Sequence, residues 1–198
     1  TYFPDKWKEG TTILLPKPGK DTRSTNNYRP ITLLSTLGKT LEKIINERIK
    51  SFIETNNLLP DSQAGFRSNR STQDQLLRLI ENIATGFQNG NVTLACYHDI
   101  EKAFDKMWTN GLLYKLYSST KLKILSIGLI YSFLSNRSVR FKINDVLSSP
   151  LTLKAGTPQG AILSPTLFNL WVSVIPQPLR RQKKTHLSQF ADDIATRS

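Results

Sequence analysis

The chain has 198 residues, enough to bury a sizeable core without disulfides or a structural metal. Its 27 Lys and Arg against 15 Asp and Glu give a net charge of +12, so its surface field attracts polyanions, with nucleic acid and anionic membrane as the leading partners. No apolar run approaches the roughly 20 residues that cross a bilayer, and the N-terminus TYFPDKWKEG lacks the apolar segment of a signal peptide, so the chain reads as soluble and intracellular.

Taken in chain order, Ile13-Leu14-Leu15 predict a strand that breaks at Pro16, Pro18 and Gly19 and enters a basic, turn-rich loop, PKPGKDTRSTNNYRP. Leu41, Ile44, Ile45, Ile49, Phe52 and Ile53 then fall at the spacing of one helical face. Residues 56–70 lapse into polar and glycine positions, after which Ser71 with Asp74 starts a second helix carrying Leu76, Leu77, Ile80 and Ile83. Val92 to Asp99 reads as a strand behind the turn Asn89-Gly90-Asn91. Its alternation places Tyr97 and Asp99 on one face and Cys96 and His98 on the other. The lone Cys96 cannot form an internal disulfide and is expected to be a buried strand residue.

Helical spacing resumes over 111–117 and 122–134. Ser138–Ile143 and Val146–Leu153 flank Asn144-Asp145 as a hairpin, and Pro150 marks the second strand as an edge. After TPQG, the apolar segment Ile162 to Ile175 reads as a helix with Ser164 as cap and Pro165 in the first turn, ended by Pro176 and Pro178. A basic loop, Arg180 to Lys184, leads to a last short strand, Leu187–Phe190. Trp7, Trp108 and Trp171 lie in apolar surroundings and are expected to serve core or interlobe packing. The chain opens on Thr1 rather than Met and stops five residues after Asp193, which suggests a piece of something longer.

Three carboxylates stand out: Asp99 in YHDIEKAFD and the pair Asp192-Asp193 in FADD, with the glycine-containing TPQG between them. If Asp99, at the end of one strand, meets Asp192 on a neighbouring hairpin, the site holds two Mg²⁺ ions for an in-line phosphoryl displacement. An isolated Asp-Asp doublet more often fills a polar turn, so the context decides. Cys96, His98 and His186 match no zinc-site spacing, and the strand parity turns His98 away from Asp99.

The segments LPKPGKD, NYRPITLLS, QAGFRSNRSTQDQL, DIEKAFDKMW, GTPQGAILSPTLFN and FADD, in that order, resemble the reverse transcriptases of non-LTR retrotransposons, in particular the jockey-like elements. The match covers essentially the whole chain. The resemblance implies an α+β right-hand polymerase fold, with fingers at about 1–90 and a palm at about 91–198, the thumb being absent. The palm's antiparallel sheet, packed with helices, would carry Asp99 and the FADD hairpin.

The resemblance also implies roles. Asp99 and Asp192 would bind the two catalytic Mg²⁺ ions, which Mn²⁺ can replace, with Asp193 as the second carboxylate of the doublet. Phe104, five residues after Asp99, matches the bulky residue that lies under the incoming sugar and excludes a 2′-hydroxyl. Gln159 and Gly160 match the loop that backs the templating base pair and the incoming nucleotide. Arg29 and Lys17 resemble fingers residues that grip the triphosphate, for which the planar fork of Arg is suited. Asp105 matches a position without a firmly assigned metal role.

Arg67 and Arg70 in GFRSNRST read either as contacts to the template backbone or as solvated loop charges. The implied activity is RNA-directed DNA synthesis, in which a primer 3′-hydroxyl attacks a dNTP. Its partners are an RNA template, a DNA primer and dNTPs, with no membrane, and the parent element's protein would work in the nucleus. The rival readings are a non-catalytic nucleic-acid-binding remnant of a decayed element and a polymerase copying another template. With no thumb and a truncated strand after FADD, the 198 residues alone are expected not to polymerise.

Overall fold

A computed structural model describes residues 2–173 and 186–197. The basic run Arg180 to Lys184 and the last part of the apolar segment, from residue 174 through Pro176 and Pro178, lie outside the described residues. In chain order the elements are strands β1 (Glu9–Pro16) and β2 (Tyr28–Leu33), helices α1 (Thr36–Thr55) and α2 (Thr72–Gln88), strand β3 (Ala95–His98), and helices α3 (Thr109–Ser119) and α4 (Ile124–Leu134). Strands β4 (Arg137–Ile143), β5 (Val146–Leu147) and β6 (Leu151–Leu153), helix α5 (Ser164–Val172), and strands β7 (His186–Phe190) and β8 (Asp193–Arg197) follow. The α+β class is as expected. The chain divides into two compact units, one of residues 1–48 with 104–164 and the other of 49–103 with 165–198.

The first unit is built on a mixed sheet. Strand β1 pairs antiparallel with β2 and parallel with β4, while β4 pairs antiparallel with both β5 and β6. The β4–β5 turn holds Asn144 at φ 54°, a left-handed conformation that Asn tolerates better than most residues. Pro150 falls between β5 and β6, where no ladder hydrogen bond is required of it. Phe3 and Phe133 meet edge to face at 5.2 Å within a core that includes Leu112, Leu116 and Ile130. Glu42, buried on α1, accepts the N–H groups of Ile162 (2.7 Å) and Leu163 (3.3 Å), donors at the start of α5 that have no helical partner. Burial pushes its carboxyl up, opposed by those amides and by Arg137. Burial likewise lowers Arg137, to about 10; its guanidinium donates to the Phe133 carbonyl (2.9 Å) and lies over that ring.

The second unit carries a three-stranded antiparallel sheet in the order β3-β8-β7. Helix α2 starts as its sequence predicts: the Asp74 N–H donates to Ser71 Oγ (3.2 Å) and the Ser71 N–H donates to Asp74 Oδ2 (2.7 Å). Ile49 and Ile53 at the end of α1, and Leu167, Phe168 and Leu170 on α5, are buried. Two packing expectations fail. Cys96 is exposed, because β3 is an edge strand whose residues are half-buried at most. Trp108 is 65% exposed and lies against Gly111 instead of entering the core. Among the described residues no helix is long and apolar enough to cross a membrane.

Candidate active site

In the second unit, β3 and β8 run antiparallel with His98 opposite Ile194, so the next position on each strand brings Asp99 and Asp193 to the same end of the pair. The predicted alternation separates Tyr97 from His98 within β3, but His98 lines the same cavity as Asp99. His98 lies 3.2 Å from Thr196 Oγ1, a residue of its own face, while Tyr97 pairs with Ala195 on the other. Asp99 and Asp193 border one cavity of about 330 Å³, whose apolar wall includes Leu76 and Leu79 of α2. Asp192, the doublet member expected to meet Asp99, occupies the adjoining β7–β8 turn and is half-buried. The register makes Asp193 the residue facing Asp99.

That turn is unusual. Ala191, 5% exposed, has φ 56°, a conformation that costs an ordinary residue roughly 1–2 kcal/mol. The donor set fits a hard divalent cation, since carboxylate oxygens are the ligands Mg²⁺ prefers. Among the described residues no three His, Cys, Asp or Glu side chains close into a ready-made metal cage. A Mg²⁺ ion does not demand one, because it is commonly held by one or two carboxylates with waters and substrate phosphates.

In the first unit, the loop after β6 is stitched to the segment following the Asp99 motif. The Gly156 N–H donates to the Met107 carbonyl (2.9 Å) and the Thr157 N–H to the Phe104 carbonyl (2.9 Å). Gly156 has φ 81°, and a Cβ there would sit 2.5 Å from the Asp105 carbonyl oxygen. Thr32 on β2 donates its N–H to the Gln159 carbonyl (3.2 Å). Gly160, at φ 109°, leaves only 2.7 Å between a Cβ position and the Thr32 carbonyl oxygen. Glycine is therefore required at both positions.

Gln159 Nε2 donates to both carboxylate oxygens of Asp105 (3.1 and 3.2 Å), so Asp105, left without a role by the sequence, orients Gln159. Gln159, Asp105, Pro30, Thr32 and Thr157 border a cavity of about 230 Å³. Phe104 is half-buried, its backbone fixed by Thr157.

The basic candidates separate. Arg29 is exposed on β2, and strand alternation sets it on the face opposite Pro30 and Thr32, away from the Gln159 cavity. Lys17 is half-buried and donates to the Asn26 carbonyl (3.0 Å), holding its own loop closed. Arg67, with a side chain only 7% exposed, binds Glu54 through two nitrogens (3.0 and 2.7 Å) and the Pro60 carbonyl through a third (3.0 Å). Its guanidinium is occupied by the fold. Arg70 pairs with the exposed Asp61 (3.1 Å) and keeps the outer position on that loop. Sequence reading passed over Gln63, which contacts the carboxylate turn; it stood inside the QAGF segment, but a single Gln in a polar loop has no periodic signature.

The chain is 34% identical over 98% of its length to a probable RNA-directed DNA polymerase from transposon BS of Drosophila melanogaster. It is 36% identical, again over 98%, to that from transposon X-element, and 32% identical to the RNA-directed DNA polymerase from mobile element jockey, both of the same species. It spans only about a fifth of the length of these relatives, 22%, 21% and 21% respectively. A solved telomerase from Candida tropicalis, in complex with a TWJ fragment of telomeric RNA, matches all of the chain over 37% of its own length with a TM-score of 0.68; at 12% identity this likeness establishes the fold. The apo telomerase of that species, truncated from its C-terminal domain, gives 0.67 at 13% identity, covering 97% of this chain and 44% of its own. The profile of the family described as reverse transcriptase (RNA-dependent DNA polymerase) matches residues 15–198, and the chain belongs to that family.

Proposed function

We propose that the chain carries the catalytic carboxylates of an RNA-directed DNA polymerase of a non-LTR retrotransposon, which extends a DNA primer with dNTPs along an RNA template. The observation that carries this reading is the β3–β8 register, which brings Asp99 and Asp193 to one strand end beside the turn that holds Asp192. In this reading the three carboxylates hold two divalent ions, Mg²⁺ or Mn²⁺. When bound, such ions lower the pKa of an attacking hydroxyl and neutralise charge on a leaving pyrophosphate.

The remaining roles fall to groups of the chain itself. Gln159, oriented by Asp105, and Gly160, which presents backbone without a side chain, would back the nascent base pair. Phe104 would lie under the sugar and discriminate against a 2′-hydroxyl. Arg29 and Arg70, exposed or partly so, are the cations of the predicted set best placed to meet phosphate, whereas Lys17 and Arg67 serve the fold first.

The test is primer extension on matched RNA and DNA templates, with the chain joined to any coding sequence that continues its frame. The reading predicts dNTP incorporation on RNA that stops when Mg²⁺ is chelated. Tight binding of primer-template without extension on either template would identify a non-catalytic binder. Extension confined to DNA would identify a DNA-dependent polymerase.

A further inference from the structure

We infer that Gln63 is a positioning residue for the carboxylate hairpin, its buried amide holding Ala191 in the left-handed conformation that sets where Asp192 and Asp193 stand. The inference rests on the reading that these carboxylates bind the metal. A residue at the head of a β-turn ordinarily turns its N–H and C=O to water. Ala191 is buried, so both groups need protein partners. One side chain supplies them. Gln63, 0% exposed, accepts the Ala191 N–H at Oε1 (3.0 Å) and donates from Nε2 to the Ala191 carbonyl (3.2 Å).

The clamp is itself fixed from three sides. Gln63 Oε1 also accepts the Gly65 N–H (2.8 Å), which locks the amide's orientation. The Ala64 N–H donates to the Gln189 carbonyl (2.9 Å) and the Gln189 N–H to the Ser62 carbonyl (2.8 Å), making a parallel bridge between Gln63 and Gln189. Asn169 on α5 donates to the Gly65 carbonyl (2.6 Å). Gly65 lies so close to the turn that a Cβ would stand 2.2 Å from the Ala191 nitrogen. A primary amide is the side-chain group that offers an acceptor and a donor side by side, matching the N–H and C=O of one residue. Gln189 Nε2 gives the same carbonyl a second donor (3.1 Å), but it leaves the Ala191 N–H to Gln63 alone among the described residues.

The experiment uses this chain in four forms: unmodified, Asp99→Asn, Gln63→Met and Gln63→Asn. Mn²⁺ affinity is measured by electron paramagnetic resonance, and amide hydrogen exchange is followed at Gly65 and Ala191 with circular dichroism as the fold control. The clamp predicts that a folded Gln63 variant binds Mn²⁺ about 10–100-fold more weakly, as loss of a supporting hydrogen bond does at other metal sites. The Ala191 amide should also exchange at least ten-fold faster, while amides of β1 and β4 do not change. Unchanged Mn²⁺ affinity or unchanged Ala191 exchange in a folded variant overturns the inference. If neither variant folds, the unmodified chain decides: an Ala191 amide protected like those of β7 and β8 supports the clamp, and one exchanging like an open turn refutes it. If Asp99→Asn leaves Mn²⁺ binding intact, the metal reading fails, and the clamp stands or falls on exchange alone.

Discussion

Replacing Gly65 by Ala should cost far more activity than stability. The added Cβ would lie 2.2 Å from the Ala191 nitrogen, 2.9 Å from its Cα and 3.0 Å from the Phe190 carbonyl carbon, all of them backbone atoms that cannot rotate aside. Ordinary contact returns only when the two backbones separate by roughly 1 Å. Ligands of a reactive site must be held to within about 0.5 Å, and a displacement near 1 Å costs on the order of 100-fold in rate. The stability loss is smaller. Overpacking costs about 1–3 kcal/mol, offset by about 0.4–1 kcal/mol from the stiffer unfolded chain, since Gly65 itself is not left-handed.

For a domain stable by about 5 kcal/mol or more, that leaves nearly all molecules folded. The assay is RNA-templated primer extension, with the chain joined to any coding sequence that continues its frame, beside thermal melting, with Gly90→Ala as the control. Gly90 is left-handed at φ 69° with nothing within 4 Å, so its replacement strains the backbone without touching the hairpin. Comparable melting losses with a turnover loss only in Gly65→Ala are expected. Wild-type turnover in Gly65→Ala, or an equal loss in Gly90→Ala, would show that the hairpin's position does not limit turnover.

Further expectations follow from other contacts. Ala191→Gly should leave stability unchanged or raise it by up to about 1.5 kcal/mol, because roughly 1–2 kcal/mol of left-handed strain is relieved against roughly 0.5–1 kcal/mol of added chain entropy; a loss above about 1 kcal/mol in urea melts would contradict this. Burial holds the folded Glu42 pKa above its unfolded value, so its contribution is greatest below about pH 4 and is lost as pH rises through the folded value. The stability of wild type minus that of Glu42→Gln should therefore fall toward neutral pH, and a difference that grows with pH would reverse the assignment. Arg67→Lys should lose about 1–2 kcal/mol, discounted for the partly exposed Glu54, yet leave the salt dependence of template binding unchanged. A shallower salt slope would return Arg67 to the template.

Much of this was legible in the sequence where the signal was local. The capping of α2 by Ser71 and Asp74, the hairpin around Asn144 and the alternation of Tyr97 and His98 each depend on neighbours a few residues apart, and all are found. What escaped depends on long-range partners. The parallel pairing of β1 with β4 joins strands more than a hundred residues apart, and nothing in either strand announces it. Gln63 reaches across 128 residues to Ala191, and Asp105 across 54 to Gln159, so neither could be distinguished from an ordinary polar loop residue. Arg67 misled for the converse reason: its loop looks solvated, yet Glu54 and two carbonyls draw the guanidinium inward. Cys96 carried an apolar composition into an edge strand, where composition does not decide burial.

The proposal at the centre is that Asp99 and Asp193, with Asp192 of the adjoining turn, hold the metal ions at which DNA is made, and one paired measurement addresses it directly. Mg²⁺-dependent extension and primer-template affinity are to be measured together for the wild type, Asp99→Asn and Asp193→Asn. Asn keeps the shape of each side chain and removes the charge that attracts the ion. Both substitutions should lower extension by about 1,000-fold or more, as expected when a charge-stabilising group is removed from the reacting centre, while affinity for primer-template stays within about two-fold. Sustained extension by either variant, or affinity and extension falling together in proportion, would contradict it.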